Sequence, residues 1–272
     1  MPDCLINGEE RAALDVHDRG LHYGDGLFET VAVVNGRMPL WSRHMARLTE
    51  GARRLGIPVP APAVLASEAQ RLCGDASRAV LKILLTRGSG RGYRPPASVE
   101  PRRLLFRYSW PAGHGLHAGR AVTVRICNLR LGHNPALAGI KHLNRLEQVL
   151  ARSEWDDDHI AEGLLLDETD HVIEGTQSNL FIVRDGRLLT PDLSRCGVAG
   201  VMRGLVMEEA PRLGIPCVET SLRLADVLES DEVFLCNSLA GIVPVRAIGE
   251  VAWPCHDLAL RLAQHMKSLM GI

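Results

Sequence analysis

Lysine is scarce in this chain of 272 residues: Lys82, Lys141 and Lys267 stand among 31 basic residues, the rest arginine. Chemistry that needs a primary amine therefore has three candidates. Lys141 lies in LGHNPALAGIKHLNRLEQVLAR (131–152), after a loop bearing Gly and Pro and before a helical pattern. An amine held there among apolar residues can be partly desolvated, which lowers its pKa and exposes a nucleophile for Schiff-base formation. The same position also suits a lysine with its head in water. Lys82 lies in AVLKILLT (79–86), where alternation sets it opposite Leu81 and Ile83. It either snorkels at a strand end or points a cation into a cleft. Lys267 falls on a terminal helix and reads as solvent-facing.

Two segments could hold a phosphate. In CGVAGVMRGLV, Gly197 and Gly200 precede a helix whose first amides lack intrahelical partners and are electropositive. In DEVFLCNSLAGIVPV a strand runs into Asn237-Ser238, small polar donors in a loop. Glu174, in HVIEGTQSNLFIV, puts a carboxylate at a strand or turn edge. Each is weak alone, since glycine often precedes helices, Asn-Ser is a common turn, and a turn carboxylate is ordinarily solvated. The seven cysteines show no CxxC and no compact Cys/His spacing. Neither a zinc site nor a disulfide framework is expected, only reduced and mostly buried thiols.

The elements that must position these groups follow from patterning. Asn-Gly in CLINGEER and VAVVNGRMPL predicts hairpin turns. Trp41, Met45, Leu48, Ala52 and Leu55 share one helical face that ends near Gly56, and a second helix follows over 62–73. Strands are expected at 79–86, 103–109, 122–129, 163–167, 179–184 and 232–236. Helices are expected at 142–153, 200–213 and 256–269. WPAGHGLHAG (110–119) has no periodicity and predicts a linker over 113–119, between a smaller domain (1–112) and a larger one (120–272) carrying Lys141. The fold class is α/β, or α+β mixed. A net charge of −1 argues against a nucleic-acid partner, and no apolar run approaches the ~18 residues of a membrane span. The polar start MPDCLINGEERAALD lacks a secretion signal's features, so a cytoplasmic protein is expected.

Taken in order, LHYGDGLFETV (21–31), HMARL (44–48), IKHLNRLEQVL (140–150), IEGTQSNLF (173–181), GVAGVMR (197–203) and DEVFLCNSLAGIVPV (231–245) resemble one family. It is the fold-type IV pyridoxal-phosphate enzymes, which include branched-chain and D-amino-acid aminotransferases and aminodeoxychorismate lyases. The resemblance implies a two-domain fold with pyridoxal 5'-phosphate in the interdomain cleft, and a homodimer completing each site. It implies that Lys141 is the Schiff-base lysine and proton shuttle, and that Glu174 faces the pyridine nitrogen. Arg47 corresponds to the phosphate-binding arginine, Val201 and Met202 to the helix-start amides, and Asn237 and Ser238 to the loop donors. Lys82 corresponds to a substrate-facing strand position, while Arg91 and Tyr93 fall in a loop that in relatives reaches the other subunit. Arg107 is a further candidate cation for a substrate carboxylate, and Asp25 a structural residue. Within the family, RGSGRGY and LGHNPALAGIKHLNRLEQVLAR look most like the lyases, which convert 4-amino-4-deoxychorismate to 4-aminobenzoate and pyruvate in folate synthesis. The alternatives are a D- or branched-chain amino-acid aminotransferase, and a non-catalytic cofactor-binding protein, against which Lys141 and Glu174 together count.

Overall fold

The computed structural model describes residues 3–10, 13–96, 98, 100–111, 116 and 120–271. Apart from Leu116, the linker expected over 113–119 has only Gly113 to Gly115 and His117 to Gly119, which lie outside the described residues. The chain divides into two compact units: Met1–Trp110 with Ile140–Asn144, and Pro111–Gly139 with Arg145–Ile272. Lys141 thus sits with the first unit, where the sequence reading placed it in the second domain.

In the first unit, β1 (Cys4–Ile6), β2 (Gly26–Val34), β3 (Arg78–Thr86) and β4 (Arg102–Ser109) form an antiparallel sheet in the order β1-β4-β3-β2. A short α1 (Arg19–Tyr23) precedes β2, and α2 (Trp41–Leu55) and α3 (Pro62–Cys73) pack on one face of the sheet. Met45, Leu48 and Ala52 of α2 meet Leu27, Val31, Leu81, Ile83 and Leu105 in one core. Gly56, at φ 64°, ends α2 in the left-handed conformation that glycine adopts without steric cost. The two Asn-Gly turns form, but each closes only a single bridge, Ile6 to Glu9 and Val34 to Arg37. The long partners of β1 and β2 come instead from β4 and β3.

The first turn of the helix expected over 142–153 does not coil. Phe28 N–H donates to the Lys141 carbonyl at 3.0 Å, and Leu143 N–H to the Gly26 carbonyl at 3.0 Å. This segment covers the open edge of β2, and helix α4 begins only at Leu146 (Leu146–Arg152).

The second unit is built on β5 (Val122–Leu131), β6 (Ile160–Asp167), β7 (Val172–Gly175), β8 (Asn179–Arg184), β9 (Arg187–Pro191), β10 (Cys217–Thr220), β11 (Glu232–Asn237), β12 (Gly241–Ile248) and β13 (Val251–Ala252). The order is β10-β9-β8-β11-β12-β5-β6-β7, and β7 pairs back onto β8, so six strands close on themselves. Closure removes exposed edges, and β5 lies parallel to both its neighbours, β12 and β6. Val124, Leu164, Leu180, Val233, Leu235 and Val245 belong to one hydrophobic core of this unit. Helices α5 (Val201–Arg212), α6 (Leu224–Leu228) and α7 (Asp257–Met270) complete the unit.

Candidate active site

The first unit gathers its amines on the sheet face away from the helices. Register pairs Thr30 with Lys82 and Lys82 with Phe106, so these share a face with Phe28. Lys141 Nζ stands 4.3 Å from the centroid of the Phe28 ring, and Lys82 Nζ 5.5 Å from the same centroid. The ring thus gathers one candidate nucleophile and one candidate anion anchor, held by cation–π attraction. Arg107 is one residue out of phase: it pairs across from Leu81, on the helix-covered face, and forms ion pairs with Asp75 and Asp3. Alternation therefore puts this candidate cation for a substrate carboxylate on the face opposite Lys82 and Phe28.

Arg47 is fixed from below. His44 and Arg47 lie three residues apart on α2, on one face, and both reach Glu29 of β2. Arg47 Nε donates to Glu29 Oε1 at 2.8 Å and Nη2 to Oε2, while His44 Nδ1 lies 2.6 Å from Oε2. Burial pushes the Glu29 pKa up, yet Arg47 and His44 together hold it below the ordinary carboxylate range. His44 Nε2 is buried without a hydrogen-bond partner. Glu29 and His44 escaped the sequence reading, although HMARL holds the helical half of this triad.

Asp25 has the structural role expected of it. Arg19 Nε donates to it at 2.8 Å and Arg87 Nε at 2.7 Å, and Arg87 continues to the carbonyls of Leu55 and Gly56 at the end of α2. Arg19 also donates to the Gly92 carbonyl, so Asp25 anchors both ends of the 87–93 loop. Arg91 and Tyr93 project from that loop, and Tyr93 is 88% exposed.

In the second unit Glu174 is buried on β7, and Val198 N–H donates to its Oε2 at 2.8 Å. Asn179 Nδ2 donates to the Val198 carbonyl at 2.9 Å, so two β-strand side chains pin the loop that leads into α5. That loop demands glycine: Gly197 has φ 85°, and a Cβ on Gly200 would run into Asn179 Oδ1. Helix α5 starts at Val201 with no side-chain cap and no acidic residue in its first turn, leaving its amides suited to an anion. Asn237 shapes a turn with its side chain, and its Nδ2 donates to the Gln177 carbonyl at 3.3 Å. Its Oδ1 accepts from Leu239 N–H at 3.0 Å and Ala240 N–H at 2.7 Å, a turn that presents Ser238.

Glu162 was not foreseen. It is wholly buried beneath the turn between β7 and β8, where Thr176 and Ser178 hydroxyls and the N–H groups of Gly163, Thr176 and Gln177 all donate to its carboxyl. Burial raises its pKa against these donors. Burial likewise pushes the thiols of Cys127, Cys196 and Cys236 up to about 12, which makes them poor nucleophiles.

Residues 26–248 match the amino-transferase class IV family, and the chain belongs to it. Over 97% of the chain and 99% of the relative, it is 36% identical to an aminodeoxychorismate lyase of Vibrio harveyi. It is 30% identical to the branched-chain-amino-acid aminotransferase of Escherichia coli K12, over 89% of the chain and 84% of the relative. The 4-amino-4-deoxychorismate lyase structure from Pseudomonas aeruginosa superposes with a TM-score of 0.92 at 48% identity, covering 97% of this chain and 98% of that one. The fold-type IV architecture implied by the motifs is therefore the fold of this chain. Pyridoxal phosphate is the cofactor of this family, and the donors present suit it: an amine, a buried carboxylate, a guanidinium, uncapped helix amides and a hydroxyl.

Proposed function

We propose that the protein is a pyridoxal-phosphate-dependent lyase that converts 4-amino-4-deoxychorismate to 4-aminobenzoate and pyruvate, serving folate synthesis. The observation that carries this reading is the full-length likeness to the P. aeruginosa lyase, at 48% identity against 26% for the E. coli branched-chain aminotransferase structure. When bound, the cofactor supplies an aldehyde and an electron-withdrawing ring. Lys141 Nζ would carry it and, once displaced by the substrate amine, take the proton from the ring carbon bearing that amine. Breaking the bond to the enolpyruvyl oxygen then leaves an aromatic ring, and the released enolpyruvate takes up a proton to become pyruvate. Glu174 would keep the pyridine nitrogen protonated. Arg47, the amides of Val201 and Met202, and Ser238 on the turn shaped by Asn237 would hold the phosphate. Lys82 would receive a substrate carboxylate.

A homodimer is part of the proposal, with Arg91 and Tyr93 reaching the other copy's site. Leu146, Val149 and Leu150 of α4 are 75%, 59% and 58% exposed, an apolar surface that a second copy would cover. Among the described residues no helix is long and apolar enough to cross a membrane, and the seven cysteines are free, which supports a cytoplasmic location.

The function is tested by supplying chorismate, glutamine and an aminodeoxychorismate synthase and following 4-aminobenzoate, beside D-alanine or leucine with 2-oxoglutarate. Aromatic product with at most slow transamination is expected; fast transamination without 4-aminobenzoate would establish the aminotransferase alternative. In the same assay Glu174→Gln should retain cofactor but lose about 2–4 kcal/mol of transition-state stabilisation, because an amide cannot keep the pyridine nitrogen protonated. Wild-type turnover in that variant would remove Glu174 from this role.

A further inference from the structure

His133, Asp167 and Cys196 lie far apart in sequence, and their spacing predicts no metal site. In the second unit a ring nitrogen of His133, a carboxylate oxygen of Asp167 and the Cys196 Sγ all lie within 4.8 Å of one another, and both Asp167 and Cys196 are buried. We propose that His133, Asp167 and Cys196 bind one Zn2+ ion that ties the end of β6 to two loops of this unit.

The donor set of imidazole, carboxylate and thiolate is one that zinc takes in tetrahedral geometry, with water in the fourth position. The outer contacts are those that metal ligands use. His133 Nε2 points at Asp167 Oδ2, 2.8 Å away, while its other ring nitrogen lies 3.0 Å from Glu168 Oε1, the carboxylate partner that orients a ligating imidazole. Asp167 Oδ1 is held by Thr169 N–H, Thr169 hydroxyl and His171 N–H, each at 2.9 Å, which leaves Oδ2 as the atom turned toward His133. His171 Nδ1 lies 3.6 Å from Asp167 Oδ2 on the same side. Ligand atoms around a tetrahedral zinc stand roughly 3.3–3.7 Å apart, so the His133–Asp167 contact opens by less than about 1 Å to admit the ion.

The segments of His133 and Cys196 already run together, and Glu168 N–H beside Asp167 donates to the Leu131 carbonyl at 3.2 Å. Asn134 N–H donates to the Arg195 carbonyl at 2.8 Å, Gly139 N–H to Gly197 at 2.9 Å, and Ala199 N–H to Gly139 at 3.1 Å. A cation at the head of this pairing would clamp the loop whose Val198 N–H meets Glu174. The ion is a fastener of the fold, distinct from the residues assigned to the reaction.

The test uses full-length holoenzyme freed of metal by chelation and titrated with Co2+, read at the red end of the visible spectrum, clear of cofactor absorption. One cobalt per chain with tetrahedral d–d bands is expected, displaced by one equivalent of Zn2+, and Zn2+ should raise the thermal midpoint. His133→Ala and Cys196→Ala should each weaken binding roughly 100-fold or more. Cys196→Ser, close to the native shape, takes the place of the alanine variant if that chain does not fold, and should show the same loss. No stoichiometric uptake, or uptake undiminished in the variants, would overturn the proposal.

Discussion

Lys141→Ala should lower turnover by something on the order of 10⁴–10⁶-fold, the scale seen when a covalent nucleophile is removed from an otherwise intact site. Only Lys82 and Lys267 remain to replace its amine. Lys82 reaches the same Phe28 ring but projects from a neighbouring strand, so its amine arrives from a different place. The fold should survive, because Lys141 is tied to β2 through its backbone carbonyl, which alanine keeps. The measurement is borohydride reduction followed by peptide mapping: label on Lys141 in the parent chain and none in the variant. Label on Lys82 or Lys267 in the parent chain would contradict the assignment.

Glu162→Ala should be the most damaging single change to stability, about 3–5 kcal/mol, read as a fall in the denaturation midpoint of the cofactor-free chain. Its carboxyl is the acceptor for two hydroxyls and three backbone N–H groups around the turn Gly175–Ser178. Removing it takes the carboxyl acceptor from all five; Thr176 N–H keeps the Gly163 carbonyl at 3.1 Å, and each buried donor left unmet carries its own desolvation cost. Glu162→Gln should recover only part of the loss, since an amide has one acceptor oxygen and its NH2 would face donors. The turn follows directly from Glu174, so the glutamine variant should also bind cofactor more weakly. A glutamine chain as stable as the parent would show that the carboxyl is not needed as a double acceptor.

Much of this site is legible in local spacing. The apolar stripe from Trp41 to Leu55 foretells α2 and sets His44 and Arg47 on one helical face. Asp185-Gly186, with φ 50° and 69°, closes the β8–β9 hairpin as its residue types require. What local spacing hides is partnership over distance. Glu29 and Glu162 look like polar residues of half-exposed strands, and each is buried because partners 14 to 18 residues away meet its charge. Lys141 reads as a helix start because 142–153 carries helical periodicity, yet pairing with β2 captures the first turn. Arg107 lies a single step of strand parity away from the face of Lys82.

The proposed lyase chemistry differs from transamination in one respect that a single experiment isolates, the need for a second substrate. An aminotransferase keeps the amino group of its first substrate and must pass it to a keto acid before it can act again, whereas the lyase returns the amine within its aromatic product. The measurement is turnover of purified 4-amino-4-deoxychorismate with the holoenzyme and no keto acid added. The expected result is 4-aminobenzoate and pyruvate in equal amounts, accumulating to many equivalents per chain. A reaction that halts after one equivalent per chain and resumes only when 2-oxoglutarate is added would contradict it.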